Sequence, residues 1–102
     1  MISLKVMNLD GRKIVSKSYI IYGKQDCPNC KTAKQMLDHK GINYKYKSVP
    51  EDLSREELFL VMESFEVIPR SFPQIVMIDE EKLAHYVGGV PELLKSFKEN
   101  SL

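Results

Sequence analysis

The only two cysteines of the chain are Cys27 and Cys30, and they stand together as Cys27-Pro28-Asn29-Cys30. Thiol–disulfide exchange needs a thiolate for the attack, and a free cysteine near neutral pH is mostly protonated. A cysteine at a helix N-terminus escapes that limit, because unpaired backbone N–H groups and the helix dipole favour the anion. Pro28 suits a first helical position, since the N–H it lacks would have no partner there. Cys27 then reads as the nucleophile. Cys30, one turn in, is placed to attack a mixed disulfide on Cys27 and resolve it. Lys24, Lys31 and Lys34 add positive charge. Of these only Lys24, just ahead of the site, has a positional argument; lysines on a helix are ordinarily solvated surface.

The same pair of cysteines would also make half of a zinc site. Zinc takes four ligands, however, and His39 and His85 lie too far apart in sequence to form the usual histidine pair, so no metal is expected. A disulfide-stapled secreted protein would need more cysteines spread along the chain. Redox chemistry is the stronger reading.

The elements that position the cysteines must fit in 102 residues, which is room for one compact domain. Apolar residues make up 43% and charged residues 28%, enough for a single core and unlike a disordered chain. Lysine and arginine number 15 against 14 acidic residues, so no electrostatic case for nucleic-acid binding arises. Apolar runs such as Ile75-Val76-Met77-Ile78 are too short to cross a bilayer. The N-terminus lacks a basic region followed by an apolar stretch, so a cytoplasmic protein without membrane contact is expected.

Residues 1–16 read as an N-terminal β-hairpin extension, with Ile2, Leu4 and Val6 alternating before an Asp10-Gly11 turn. Residues 17–102 read as the main domain. Lys17 to Tyr22 is a β-branched and aromatic strand ended by Gly23. Ala33, Met36 and Leu37 give a helix from Pro28 to Lys40 one apolar face, and Gly41 stops it. Tyr44 to Val49 alternates aromatic and lysine, as a half-buried strand does. Ser54 with Glu57 forms a capping box for a second helix running through Leu58, Val61, Met62 and Phe65. Gln74 to Ile78 and Leu83 to Val87 make an antiparallel hairpin, and Pro91 begins a last helix with Leu93, Leu94 and Phe97 inward. After the extension the order is β-α-β-α-β-β-α. The strand–helix–strand unit requires a parallel crossover, so the fold class expected is α/β, a four-stranded mixed sheet flanked by three helices. That is the thioredoxin-like architecture, in which C-x-x-C beside a β-α-β unit signals redox chemistry.

Three segments carry a closer resemblance. Tyr22-Gly23-Lys24-Gln25-Asp26-Cys27-Pro28-Asn29-Cys30 resembles the active-site segment of glutaredoxins, with a lysine three residues before the first cysteine and C-P-x-C. Ser71-Phe72-Pro73-Gln74-Ile75 is similar to their T-V-P-Q-I segment, and Gly88-Gly89 to their paired glycines before the last helix. The likeness spans about residues 17–97. It implies a glutaredoxin fold and a dithiol oxidoreductase that reduces protein disulfides and glutathione mixed disulfides. Glutathione would be the co-substrate, with no bound cofactor. A monomer is expected, and ribonucleotide reductase is a partner the family suggests. By resemblance Pro73 is cis, and Phe72 offers its backbone to a cysteinyl peptide as a short strand would. Lys24 would meet the glycyl carboxylate of glutathione, with Arg70 or Arg55 helping, and Gly89 and Val90 would lie near its γ-glutamyl end. Two departures stand out. Asn29 replaces a frequent aromatic residue, and Pro91 has no N–H to offer the γ-glutamyl carboxylate. Two rivals follow: a redoxin of the same fold reduced by thioredoxin reductase, and an iron–sulfur or metal-binding module.

Overall fold

The computed structural model describes residues 17–100, and the expected hairpin of residues 1–16 lies outside them. The described chain runs β1 (Ser18–Gly23), α1 (Pro28–Lys40), β2 (Tyr44–Ser48), α2 (Arg55–Glu63), β3 (Gln74–Ile78), β4 (Ala84–Gly88) and α3 (Val90–Asn100). The strands form one mixed sheet in the order β2-β1-β3-β4. β1 and β2 are parallel across the α1 crossover, while β3 lies antiparallel to both β1 and β4. The expected architecture is thus the one adopted.

Alternation along the strands decides which helix each residue meets. Tyr19 and Ile21 point to one face of the sheet, and there they join Ala33 and Leu37 of α1, Ile75, and Leu93 and Phe97 of α3. Ile20 and Tyr22 point to the other face, toward Leu58 and Met62 of α2, with Val49 and Val76. Both faces of the sheet are covered, as a sheet with a parallel crossover requires.

Local chemistry sets the helix ends. The α1 termination at Gly41 is a Schellman motif: Gly41 sits at φ 69°, its N–H donates to Asp38 O, and the Ile42 N–H donates to Leu37 O. The capping box of α2 is present in both directions, Glu57 N to Ser54 Oγ at 3.0 Å and Ser54 N to Glu57 Oε1 at 2.7 Å. Two X-Pro bonds are cis: Phe72-Pro73, as the resemblance implied, and Val49-Pro50.

Four expectations shift. Helix α2 stops at Glu63 because the Phe65 and Val67 N–H groups both turn back to Met62 O, and Glu66 adopts φ 61°. Strand β4 starts at Ala84, since the Leu83 N–H is taken by the Asp79 carboxylate in the turn. Helix α3 starts at Val90, with Pro91 as its second residue. Leu94, expected inward, is 47% exposed. Leu93 and Phe97 are one turn apart and hold the core stripe, which leaves Leu94 rotated out of it.

Candidate active site

Strand register brings the site together. Gly23 pairs with Ser48, Tyr22 with Gln74, and Ile75 with Gly88. The loop after β1, the turn before β3 and the start of α3 therefore share one end of the sheet. Those three segments, with the first turn of α1, carry Lys24, Cys27, Cys30, Phe72, Pro73, Gly89 and Val90, whereas Arg55 opens α2.

Cys27 is the N-cap of α1, in extended backbone at φ −118° and ψ 103°. Its carbonyl accepts the first helical hydrogen bond, from Lys31 N at 3.1 Å. Its sulfur accepts from Cys30 N at 3.2 Å, in the manner of an oxygen-bearing cap. No acidic residue lies in the first turn of α1 to oppose a thiolate. Cys27 and Cys30 are joined in a disulfide with Cα atoms 5.2 Å apart. Cys27 is half-exposed, whereas Cys30 is buried with 1% of its surface accessible. A substrate can therefore reach the first sulfur and not the second. Asp26 precedes the pair at φ 56°, a left-handed conformation that aspartate tolerates better than most residues.

Lys24 is exposed, and two contacts fix its place. The Tyr46 hydroxyl donates to the Lys24 carbonyl at 3.1 Å, and Lys24 Nζ stands 5.6 Å from the centroid of the Phe72 ring. The second contact links the cysteine loop to the turn before β3. That turn is held from beneath by Gln74, a buried polar side chain with both ends satisfied: its Nε2 donates to Ser71 O at 2.8 Å, and the Tyr86 hydroxyl donates to its Oε1 at 2.6 Å. Burial, reinforced by the Glu92 charge, raises the Tyr86 hydroxyl pKa and keeps it a donor. Pro73 is buried and Phe72 half-buried.

Gly88 adopts φ 121°, a conformation that side chains rarely permit, next to a register shift between Ile75 and Val76. Gly89 follows against the Pro73 carbonyl. Its own carbonyl accepts from Leu93 N, and its N–H donates to Glu92 Oε1 at 2.8 Å. Gly89 is thus the N-cap of α3, and Glu92 closes half of a capping box over it. The expected anion-binding N–H at Gly89 already holds a carboxylate from the chain itself. Sequence reading missed Glu92, although glycine followed three residues later by glutamate was the available signal. Arg55 and Arg70 are both exposed, Arg55 opening α2 and Arg70 just before the Ser71–Pro73 turn. Among the described residues, no three His, Cys, Asp or Glu side chains gather as a metal site.

Tyr46 was also missed, because its partners are far away in sequence. Its ring lies on Gly23, where a Cβ would come within 2.7 Å of Tyr46 Cζ. Gly23→Ala is therefore expected to displace Tyr46, break its hydrogen bond to Lys24 and cost about 1–3 kcal/mol by overpacking. Urea denaturation checks the cost, and a midpoint equal to wild type would contradict this packing.

The geometry agrees with comparisons to known proteins. The family model for glutaredoxin matches residues 19–83. The crystal structure of glutaredoxin 1 from Francisella tularensis, complexed with cacodylate, superposes with a TM-score of 0.63 at 27% sequence identity. The superposition covers 84% of this chain and 96% of that one. A comparison with curated proteins gives no match.

Proposed function

The chain belongs to the glutaredoxin family, and we propose that it reduces protein disulfides and glutathione mixed disulfides through the Cys27–Cys30 dithiol, with glutathione as reductant. The observation that carries this reading is Cys27 as helix N-cap, its sulfur accepting the Cys30 N–H and paired with a buried Cys30. The Cys27 thiolate attacks one sulfur of a substrate disulfide. A new S–S bond forms, the old one breaks, and the other substrate sulfur leaves as a thiolate that takes up a proton. Cys30, once deprotonated, attacks the Cys27 sulfur and expels the second substrate thiol. The substrate gains two electrons and the site is left as the disulfide. Two glutathione molecules return it to the dithiol, the first by a mixed disulfide on Cys27, the second by forming oxidised glutathione.

The remaining site residues fit glutathione by chemistry and position. Lys24 would meet the glycyl carboxylate, and the Phe72 backbone beside Pro73 would pair with the cysteinyl residue. Gly89 and Val90 would bind the γ-glutamyl carboxylate at the start of α3, an end of a helix that favours anions. Glu92 must turn away from Gly89 for that last contact. On this reading the protein works as a monomer in a reducing compartment such as the cytoplasm, and ribonucleotide reductase is one candidate protein substrate. No described helix is long and apolar enough to cross a membrane.

One observation favours a second reading, reduction by thioredoxin reductase. Pro91 offers no N–H and Glu92 occupies that of Gly89, so two donors for the γ-glutamyl carboxylate are lost or engaged. The test is turnover of a glutathione mixed disulfide with each reducing system supplied in turn. Turnover with glutathione and its reductase is expected, and turnover with thioredoxin reductase alone would move the assignment to the second reading.

A further inference from the structure

A groove of about 630 Å³ opens beside Cys27, between the outer face of α1, the Lys24–Asp26 loop and the edge strand β2. The cysteine chemistry uses only its rim. Its walls include Lys24, Lys31 and Lys34, with Asp26 as the one acidic lining residue. On α1 the core takes Cys30, Ala33 and Leu37. The spacing of Cys27 to Lys31 (i, i+4) and of Lys31 to Lys34 (i, i+3) puts these three on a common outward face. Lys34 Nζ rests 4.3 Å from the Tyr46 ring centroid, which holds its ammonium against the far wall. Ser48, at the end of that wall, donates its hydroxyl to Glu51, so this nearby carboxylate is engaged within β2 and its following turn. Among the described residues, none of the three lysines is ion-paired with a carboxylate. Among the described residues, the groove thus presents cations without paired counter-charges, and it leads directly from the reactive sulfur.

We propose that this groove is a specificity subsite for acidic side chains flanking the target cysteine of a peptide or protein disulfide, with Lys31 and Lys34 as the residues that read them. The proposal rests on the disulfide-reducing function above and names its preferred substrate class. Helical rise places Lys31 about 6 Å and Lys34 about 10 Å beyond Cys27 along the α1 axis. An extended peptide advances about 3.3 Å per residue, so the matching carboxylates lie two to three residues from the substrate cysteine. A small free anion would use the charge but not this spacing.

The test uses the full reduced chain and end-capped octapeptides, each dimerised through one central cysteine. Glutamate, glutamine or lysine occupies the positions two and three residues from that cysteine. The rate of oxidation of the protein by each peptide disulfide is followed by stopped flow. At low ionic strength the glutamate peptide is expected to react roughly tenfold faster than the glutamine peptide, with the advantage fading in high salt. Quoting the ratio between peptides cancels any general change in Cys27 reactivity. K31Q/K34Q should bring the ratio near one, K31R/K34R should keep it, and K31E/K34E should invert the order in favour of the lysine peptide. Equal glutamate and glutamine rates in wild type, or a preference undiminished in K31Q/K34Q, would overturn the subsite while leaving disulfide reduction intact. If no peptide oxidises the protein, the functional reading itself falls, and the subsite with it.

Discussion

Cys27→Ser is expected to lower every exchange reaction of the protein by more than about a thousandfold, corresponding to ~4 kcal/mol of barrier. A serine hydroxyl is not ionised near neutral pH, and the hydrogen bond from Cys30 N cannot make it so. Cys30→Ser should behave differently. Reduction of a glutathione mixed disulfide needs one attacking thiol, because glutathione itself can resolve the intermediate; that activity should persist. Reduction of protein disulfides should instead stall with substrate attached to Cys27. The asymmetry follows from exposure, since Cys27 is half-exposed and Cys30 is 1% exposed. Steady-state assays on both substrate types check it, and comparable residual activities in the two variants would contradict it.

The second large effect concerns stability. Ile75 has no accessible surface, lies in the inner strand β3, and packs in the cluster that includes Ala33 and Leu37 of the cysteine-bearing helix. Ile75→Ala removes buried methyl and methylene groups from a site walled by two strands and two helices. The cost should be about 3–4 kcal/mol, near the middle of the range for such truncations. For a domain of this size the melting temperature should then fall by at least about 10 °C. Ile75→Val, which removes one methylene group, should cost only about 0.5–1.5 kcal/mol. Thermal unfolding by circular dichroism checks both, and an Ile75→Ala melting temperature within 2–3 °C of wild type would contradict the packing.

The elements that surround these two residues were legible in the sequence because their signals are local. Pro28, the Ala33/Leu37 spacing and Gly41 bound α1 at the ends it has, and Ser54 with Glu57 announces the start of α2. Strand β3 is a short apolar run between Pro73 and Asp79 and was read to the residue. What escaped the sequence depends on the chain's return to the same place. Tyr46 holds the Lys24 carbonyl across 22 residues, and Tyr86 holds Gln74 across 12. No periodicity reports such contacts. The start of α3 was misread by one residue for a different reason. Pro91 is a strong first-position signal, but the Gly89 carbonyl and the Glu92 carboxylate form the cap one residue earlier than proline suggests. Leu94 shows the same weakness: helical spacing admits both adjacent leucines to an apolar stripe, and only the packing sends Leu93 into the core and leaves Leu94 47% exposed.

The groove beside Cys27 belongs with the second class. Lys31 and Lys34 look like solvated helix surface until β2 is laid alongside, when Tyr46 becomes the wall that one of them rests on. The fold therefore supplies what composition conceals, a local basic surface in a chain with a formal net charge of +1.

The central claim is that Cys27 is the attacking thiolate, and cysteine-resolved alkylation tests it most directly. The reduced protein is pulsed with iodoacetamide across pH 4 to 9, and peptide mass spectrometry reads each cysteine separately. Cys27 should label first, and at a pH below the ~8.5 midpoint of an ordinary free cysteine, while Cys30 lags. Labelling of Cys30 ahead of Cys27 at mildly acidic pH would contradict the account.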